Sequence, residues 1–162
     1  MRIIKLIIIS AVVLFSLVTA ISFLLPSKVR ISRAVNIDVP ASDVYEKLKQ
    51  VRDWEQWNEY IKALPEKTVS PDSISSRRLT IHIIRSDTGS IESLWRQPDG
   101  TTFTGMYHLI PRGSVTVVQW YFDFRFKWYP WEKLGSIVYD KQLGPQMEQS
   151  LINLKRSLEK LD

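Results

Sequence analysis

The sequence predicts an α+β fold: a curved antiparallel sheet wrapped around one long C-terminal helix, preceded by an N-terminal helix that lies in a membrane. Three observations lead there. Residues 6–25 form an uncharged apolar run. Residues 77–128 hold strand patterns separated by short turns. Met147, Leu151, Leu154, Leu158 and Leu161 recur at spacings of four and three, the single apolar stripe of a long amphipathic helix.

The first run reads LIIISAVVLFSLVTAISFLL, with no charge, proline or glycine. About 20 residues at ~1.5 Å rise span roughly 30 Å, the hydrocarbon thickness of a bilayer. A helix apolar on every side shows no polar face to water and belongs in lipid. A single-pass N-terminal anchor over residues 1–28 and a domain over 29–162 are therefore expected. The rival is a cleaved signal peptide, with Val18-Thr19-Ala20 near the small-x-small cleavage pattern. The apolar run continues to Leu25, beyond the usual length of a signal's apolar region. Arg2 and Lys5 before the run are opposed by Lys28, Arg30 and Arg33 after it, so flanking charge leaves the orientation open, with a slight lean towards a domain outside.

After the anchor, Val29, Ile31, Val35, Ile37 and Val39 alternate with Arg30, Ser32, Asn36 and Asp38, the period of a half-buried strand; Arg33 interrupts the apolar face. Pro40 ends it. Ser42 or Asp43 can cap a helix carrying Val44, Leu48 and Val51, with Glu46 completing a capping box. A second short helix is expected over 53–58, where Trp54 and Trp57 sit three apart. Residues 60–76, broken by Pro65 and Pro71, leave room for at most one short edge strand. Strands are expected over 77–85, 90–97, 101–110 and 114–128, joined by Asp87-Thr88-Gly89, Pro98-Asp99-Gly100 and Pro111-Arg112-Gly113. A helix over 131–143, an interruption at Gly144-Pro145 and a second helix started by Pro145 complete the order.

Composition narrows the chemistry. With no cysteine among 162 residues, disulfides, thiolate zinc sites and cysteine nucleophiles are excluded. Residues 1–28 hold three of the 22 basic side chains and none of the 17 acidic ones, which leaves +2 on the remainder, too little for a nucleic-acid-binding face. His82 and His108 match no compact metal motif, so no metal and no cofactor are expected. No nucleophile elbow or phosphate loop occurs. Asp123 and Glu132 are the carboxylate candidates for acid–base work, and Asp123 falls on the polar face of its strand, where solvent exposure is expected.

The positive signal is aromatic. Trp120, Phe122, Phe124 and Phe126 share one strand face, with Trp95 and Tyr107 on earlier strands. Core packing accounts for any one of these rings, and a cavity wall for several together. Trp57, Trp95, Tyr107, Trp120, Phe122, Phe124, Leu134 and Val138 are the candidate lining residues, with His82 and His108 as possible polar groups. Trp128, Tyr129 and Trp131, with Lys127 and Lys133, suit a membrane interface.

The segment LPSKVRISRAVNIDVPASDVYEKLKQVRDWEQWNEY resembles the start of bacterial SRPBCC proteins, the START-like or helix-grip superfamily that includes polyketide cyclases and lipid carriers. There too a strand runs into a proline, a helix and a tryptophan-containing short helix. The ending, with Gly144, Pro145, Leu151, Leu154 and Lys155, is similar to the family's C-terminal helix, and Leu25-Pro26-Ser27-Lys28 to the end of the membrane segment some members carry. Residues 61–112 lack the glycine-rich strand stretch of many members. The resemblance implies a helix-grip fold and a pocket for a small hydrophobic ligand such as a lipid, isoprenoid or quinone, but no single reaction. A cyclase- or dehydratase-like enzyme and a non-catalytic interaction module at the membrane are the alternatives.

Overall fold

The structure, a computed structural model, describes residues 2–24, 27–125 and 130–159, with side chains of the last segment described from Tyr139 onward. Helix α1 (Arg2–Leu24) is followed by β1 (Lys28–Ile37), α2 (Ala41–Leu48), a 3₁₀ helix (Val51–Gln56) and α3 (Glu59–Lys62). Then come β2 (Thr68–Val69), β3 (Ser73–Ser75), β4 (Thr80–Asp87), β5 (Ser90–Arg96), β6 (Thr102–Arg112), β7 (Val115–Arg125) and α4 (Pro130–Glu159). The seven strands form one sheet in the order β1-β7-β6-β5-β4-β3-β2, every neighbouring pair antiparallel. One face of the sheet grips α4 and carries the core, the helix-grip arrangement expected.

Period-two patterning sets the faces. In β7, Thr116, Val118, Trp120, Phe122 and Phe124 are buried, while the residues between them are half-exposed. The partner strands follow in register: Ile31 opposite Phe122 and Val35 opposite Val118 on β1, Tyr107 opposite Trp120 and Leu109 opposite Val118 on β6. A one-residue slip would turn all of these out to water, so burial itself holds the pairing.

Several boundaries differ from expectation. Helix α2 starts at Ala41 behind Pro40, and its N-cap position makes no side-chain hydrogen bond, so the capping box from Asp43 does not form. The backbone N–H of Asp43 instead donates to the Pro40 carbonyl at 3.1 Å. The helix expected over 53–58 is a 3₁₀ turn followed by α3, because Asn58 restarts the helix: its Oδ1 accepts from the N–H of Tyr60 at 3.0 Å and of Ile61 at 3.3 Å. Two very short strands, not one, lie within residues 60–76.

Helix α4 runs unbroken through Gly144 and Pro145. Proline removes one helical hydrogen bond and crowds the preceding turn, yet two side chains from elsewhere hold this segment. The Tyr60 hydroxyl donates to the Leu143 carbonyl at 2.7 Å. The Arg33 guanidinium lies where a Gly144 Cβ would stand, with its Nη2 on Asp140 Oδ1 at 3.0 Å and its Nη1 on the Ser32 carbonyl at 2.8 Å. The arginine that interrupts the apolar face of β1 is thus a clamp between strand and helix.

Asn58 is fully buried, and its Nδ2 also reaches the hydroxyl of buried Tyr107 at 3.4 Å. Asn58→Ala removes the cap of α3 and leaves that phenol without its partner. It is expected to lower stability by about 1–2 kcal/mol, read as a shift in the urea midpoint of the full chain in mild detergent. An unchanged midpoint would show that the cap is not needed.

Candidate functional site

The inner face of the sheet carries a continuous aromatic network. At its deep end Trp54, Trp57 and Tyr107 meet edge-on or tilted, with centroids 5.1–6.0 Å apart. Tyr107 stacks on Trp120 at 5.1 Å, and Trp120 meets Phe122 at 5.1 Å. Trp95 stands edge-on to Phe122 at 5.0 Å and stacks on Phe103 at 5.9 Å; Phe103 continues to Phe124 at 4.9 Å. Phe124 reaches Tyr139 of α4 at 5.3 Å.

Gly105 makes this packing possible. A Cβ there would stand 2.8 Å from Trp95 Nε1 and 2.9 Å from Phe122 Cε1, so only glycine lets both rings cross the middle of β6. Ser93 completes the arrangement: its Oγ donates to the Gly105 carbonyl at 3.1 Å and accepts from Trp95 Nε1 at 2.9 Å. The indole is thereby fixed with its polar edge satisfied, as burial requires.

At the shallow end the network does not fill the space under α4. A pocket of about 190 Å³ lies between the starts of β4 and β6, the end of β5, α3 and α4. Its wall is Tyr60, Leu64, Leu79, Trp95, Phe103, Phe122 and Leu143, and the exposed Arg78 and Gln97 mark its mouth. Tyr60 stands edge-on to Trp95, Trp120 and Phe122 at 6.0–6.3 Å. Burial pushes its phenol pKa upward, against a smaller opposing pull from Arg33, so it stays a neutral hydroxyl. A larger hollow, about 370 Å³, lies against Leu94, Thr104, Met106 and Tyr121 on the outer face, but Glu92, Asp123 and Arg125 line it as well. The pocket under α4 is the apolar one, and the better match to a small-molecule site.

The expected lining residues divide. Trp95 and Phe122 stand on the pocket wall. Trp120 lies behind Phe122, Trp57 and Tyr107 lie deeper still, and Phe124 lies beyond Phe103. Leu134 and Val138 lie in α4, but their side chains, like those of Trp131, Glu132 and Lys133, are not described, and Phe126, Lys127, Trp128 and Tyr129 fall outside the described residues.

His82 and His108 are a correction. Both are exposed on the outer face, because each alternates with buried inner-face neighbours: Ile81 beside His82, and Tyr107 and Leu109 beside His108. Neither reaches the pocket, so a reaction through either histidine has no support there. Among the described residues no group of three metal-ligating side chains occurs. Asp123 also faces outward, where both its carboxylate oxygens accept from Arg30, at 2.7 and 2.8 Å.

Tyr60, Leu64, Leu79, Phe103 and Leu143 were not among the expected lining. Two carried a signal. Tyr60 continues the spacing of three from Trp54 and Trp57, and Phe103 is the register partner of Trp95. Leu64, Leu79 and Leu143 reach the pocket only through the fold, and nothing local marks them.

No family model matches the chain, and no curated protein sequence matches it. Solved structures do match in fold. A START superfamily protein from Mycobacterium smegmatis is 17% identical with a TM-score of 0.59, over 82% of this chain and 99% of that one. DynU16, from the dynemicin biosynthetic locus, is 16% identical with a TM-score of 0.58, over 83% of this chain and 48% of its own. The di-domain aromatase/cyclase StfQ of the steffimycin pathway is 14% identical with a TM-score of 0.60, over 82% of this chain and 51% of its own. The chain thus spans about half the length of DynU16 and of StfQ. At these identities the likeness establishes the START-like helix-grip fold, shared with polyketide cyclase-type proteins, and no activity.

Proposed function

We propose that this protein binds a small apolar molecule between its sheet and α4 while held at a membrane by α1. Residues 1–28 serve as the anchor and 29–162 as the binding domain. The observation that carries the reading is the open 190 Å³ pocket walled by Trp95, Phe103, Phe122 and four aliphatic or phenolic neighbours. A cavity of ~150 Å³ lined by apolar side chains accepts a benzene-sized guest. This one therefore takes a ring or a short acyl or isoprenyl segment, with the rest of a longer ligand outside the mouth. Transfer of apolar area at ~25 cal/mol per Å² supplies affinity with no catalytic residue. The START-like architecture and the aromatase/cyclase neighbour support a ligand of this class.

Helix α1 supports the membrane half of the reading. Only 6% of its most apolar window is buried inside the protein, unlike a core helix, and its mean hydropathy there is 2.7. Such a surface needs an apolar cover, which a bilayer provides.

The test is mass spectrometry of small molecules co-purified with the full chain from native membranes, wild type against Leu79→Trp. The half-exposed Leu79 is on the pocket wall, so an indole there fills the void without entering the buried core. One apolar species enriched in the wild type and reduced at least ~10-fold in the variant is expected, a loss of about 1.4 kcal/mol or more. The same bulk lipids in both samples would overturn the reading.

A further inference from the structure

We infer that the end of the sheet around the pocket mouth is a docking surface for an anionic bilayer, seating the mouth on the lipid. The inference rests on α1 being the membrane segment.

The placement follows from register. Lys28 opens β1 and pairs with Arg125 at the end of β7. Arg96, at the end of β5, pairs with Thr102 at the start of β6 and with Thr80 at the start of β4. These five residues therefore lie at one end of the sheet. Arg78 and Gln97, which mark the mouth, directly precede β4 and follow β5 at that same end.

Connectivity then ties this end to α1. Lys28 is four residues beyond Leu24, the last residue of α1, and four residues of chain reach at most ~14 Å. That is close to the ~10 Å over which charge acts at moderate salt.

The charge at this end is largely unbalanced. Lys28, Arg78, Arg96 and Arg125 are all exposed, and among the described residues none forms an ion pair. Arg30 and Arg77 close by are neutralised, by Asp123 at 2.7 Å and Glu66 at 2.9 Å. Asp99, in the β5–β6 turn, accepts from the Thr101 N–H and sets one negative charge against these four. At the opposite end Arg85 meets Asp87 at 3.7 Å, and Lys155 meets Glu159, which also accepts from the Asp38 N–H. Four cations without ion pairs thus share the end of the sheet that holds the mouth, Arg78 at the mouth itself and Lys28, Arg96 and Arg125 on the outer face of that end, while at the far end Arg112 and Arg156 also lack ion pairs among the described residues. Each basic side chain near an anionic bilayer strengthens partitioning roughly fivefold. An apolar ligand could then pass between leaflet and pocket without crossing bulk water.

The chain has no cysteine, so single labels can be introduced in the full protein. A fluorescent donor would be placed at Thr101→Cys, in the turn at the mouth end, or at Ser114→Cys, in the turn at the far end. The 11 residues of β7 separate the two ends by about 35 Å. The labelled chain is reconstituted into vesicles of phosphatidylcholine alone, or mixed with phosphatidylglycerol, carrying an acceptor lipid. Energy transfer from Thr101→Cys should be stronger in the anionic vesicles. It should fall to the neutral-vesicle value at ~1 M salt, where screening shrinks to ~3 Å, and in the variant Lys28→Gln/Arg78→Gln/Arg96→Gln/Arg125→Gln. Each single substitution should weaken docking roughly fivefold, and the Ser114→Cys signal should stay low throughout. Transfer that ignores lipid charge, salt and the four substitutions, in a chain that floats with the vesicles, overturns the docking surface and leaves the anchor standing. A chain that floats with neither vesicle overturns the anchor, and the docking surface with it.

Discussion

Replacing Trp120 with alanine is expected to destabilise the domain by about 3–5 kcal/mol, the range for emptying a buried aromatic site. Trp120 is fully buried, stacked on Tyr107 and meeting Phe122, Tyr60 and Trp95. Its β1 register partner is Arg33, which is held against Gly144 and Asp140. The surrounding rings are fixed by their own neighbours and cannot collapse inward, so most of the indole volume would remain empty. A domain of this size has about 5–15 kcal/mol in hand, which places the variant near its threshold. Urea unfolding of the full chain in mild detergent, followed by circular dichroism, measures the loss. A variant within about 1 kcal/mol of wild type would mean that the site relaxes freely, and the rigid aromatic network described here would be wrong. Trp120→Ala is for the same reason a poor probe of ligand binding. Leu79→Trp changes the pocket and leaves the core alone, so the two variants separate stability from occupancy.

The fold was largely legible because burial follows period. Strand β7 alternates through eleven residues, and α4 carries its stripe at Met147, Leu151 and Leu154, all buried. Failures came where tertiary contacts outweigh local preference. Pro145 and Gly144 read as a helix break, yet Tyr60 and Arg33, both distant in sequence, hold the helix through them. Strands β2 and β3, of two and three residues, are too short to display a period and exist because β4 offers them an edge.

The site was legible to a lesser degree, since alternation tells which residues face inward and not how far a void extends. Trp95, Tyr107, Trp120 and Phe122 are equally buried and equally patterned, but only Trp95 and Phe122 stand on the pocket wall. The difference lies in what stands above each ring. The 3₁₀ helix brings Trp54 and Trp57 down onto Tyr107, whereas Trp95 and Phe122 meet Tyr60 only edge-on and share with it, Leu64 and Leu143 the wall of the void. The histidines follow a simpler rule: the alternation that buries Ile81 and Tyr107 turns the next residue on each strand, His82 and His108, outward.

Arginine in the middle of α1 should act steeply, not gradually. The helix has fifteen leucine, isoleucine, valine and phenylalanine residues. At about −0.3 to −0.6 kcal/mol each they favour insertion by roughly 5–9 kcal/mol, and one central arginine costs about 2.5–3.5 kcal/mol. Val13→Arg alone is therefore expected to leave the chain in the membrane, while Val13→Arg with Leu17→Arg, one turn apart on the same face, should release most of it. Val13 and Leu17 are 62% and 57% exposed, so neither change disturbs the packing of the domain. The measurement is the fraction retained in membrane pellets after an alkaline wash. Wild-type chain released by that wash and beginning at Ile21 would identify the segment as a cleaved leader, because the apolar residues left after Ala20 are too few to span a bilayer. Retention of the double variant in the wash would mean that something other than α1 holds the chain. The basic mouth could not be that holder at high salt, since its four cations act only through a screened field. Under this proposal anchor and mouth divide the attachment by physical kind: α1 would set whether the protein stays at the membrane, and the charged end how the pocket faces it.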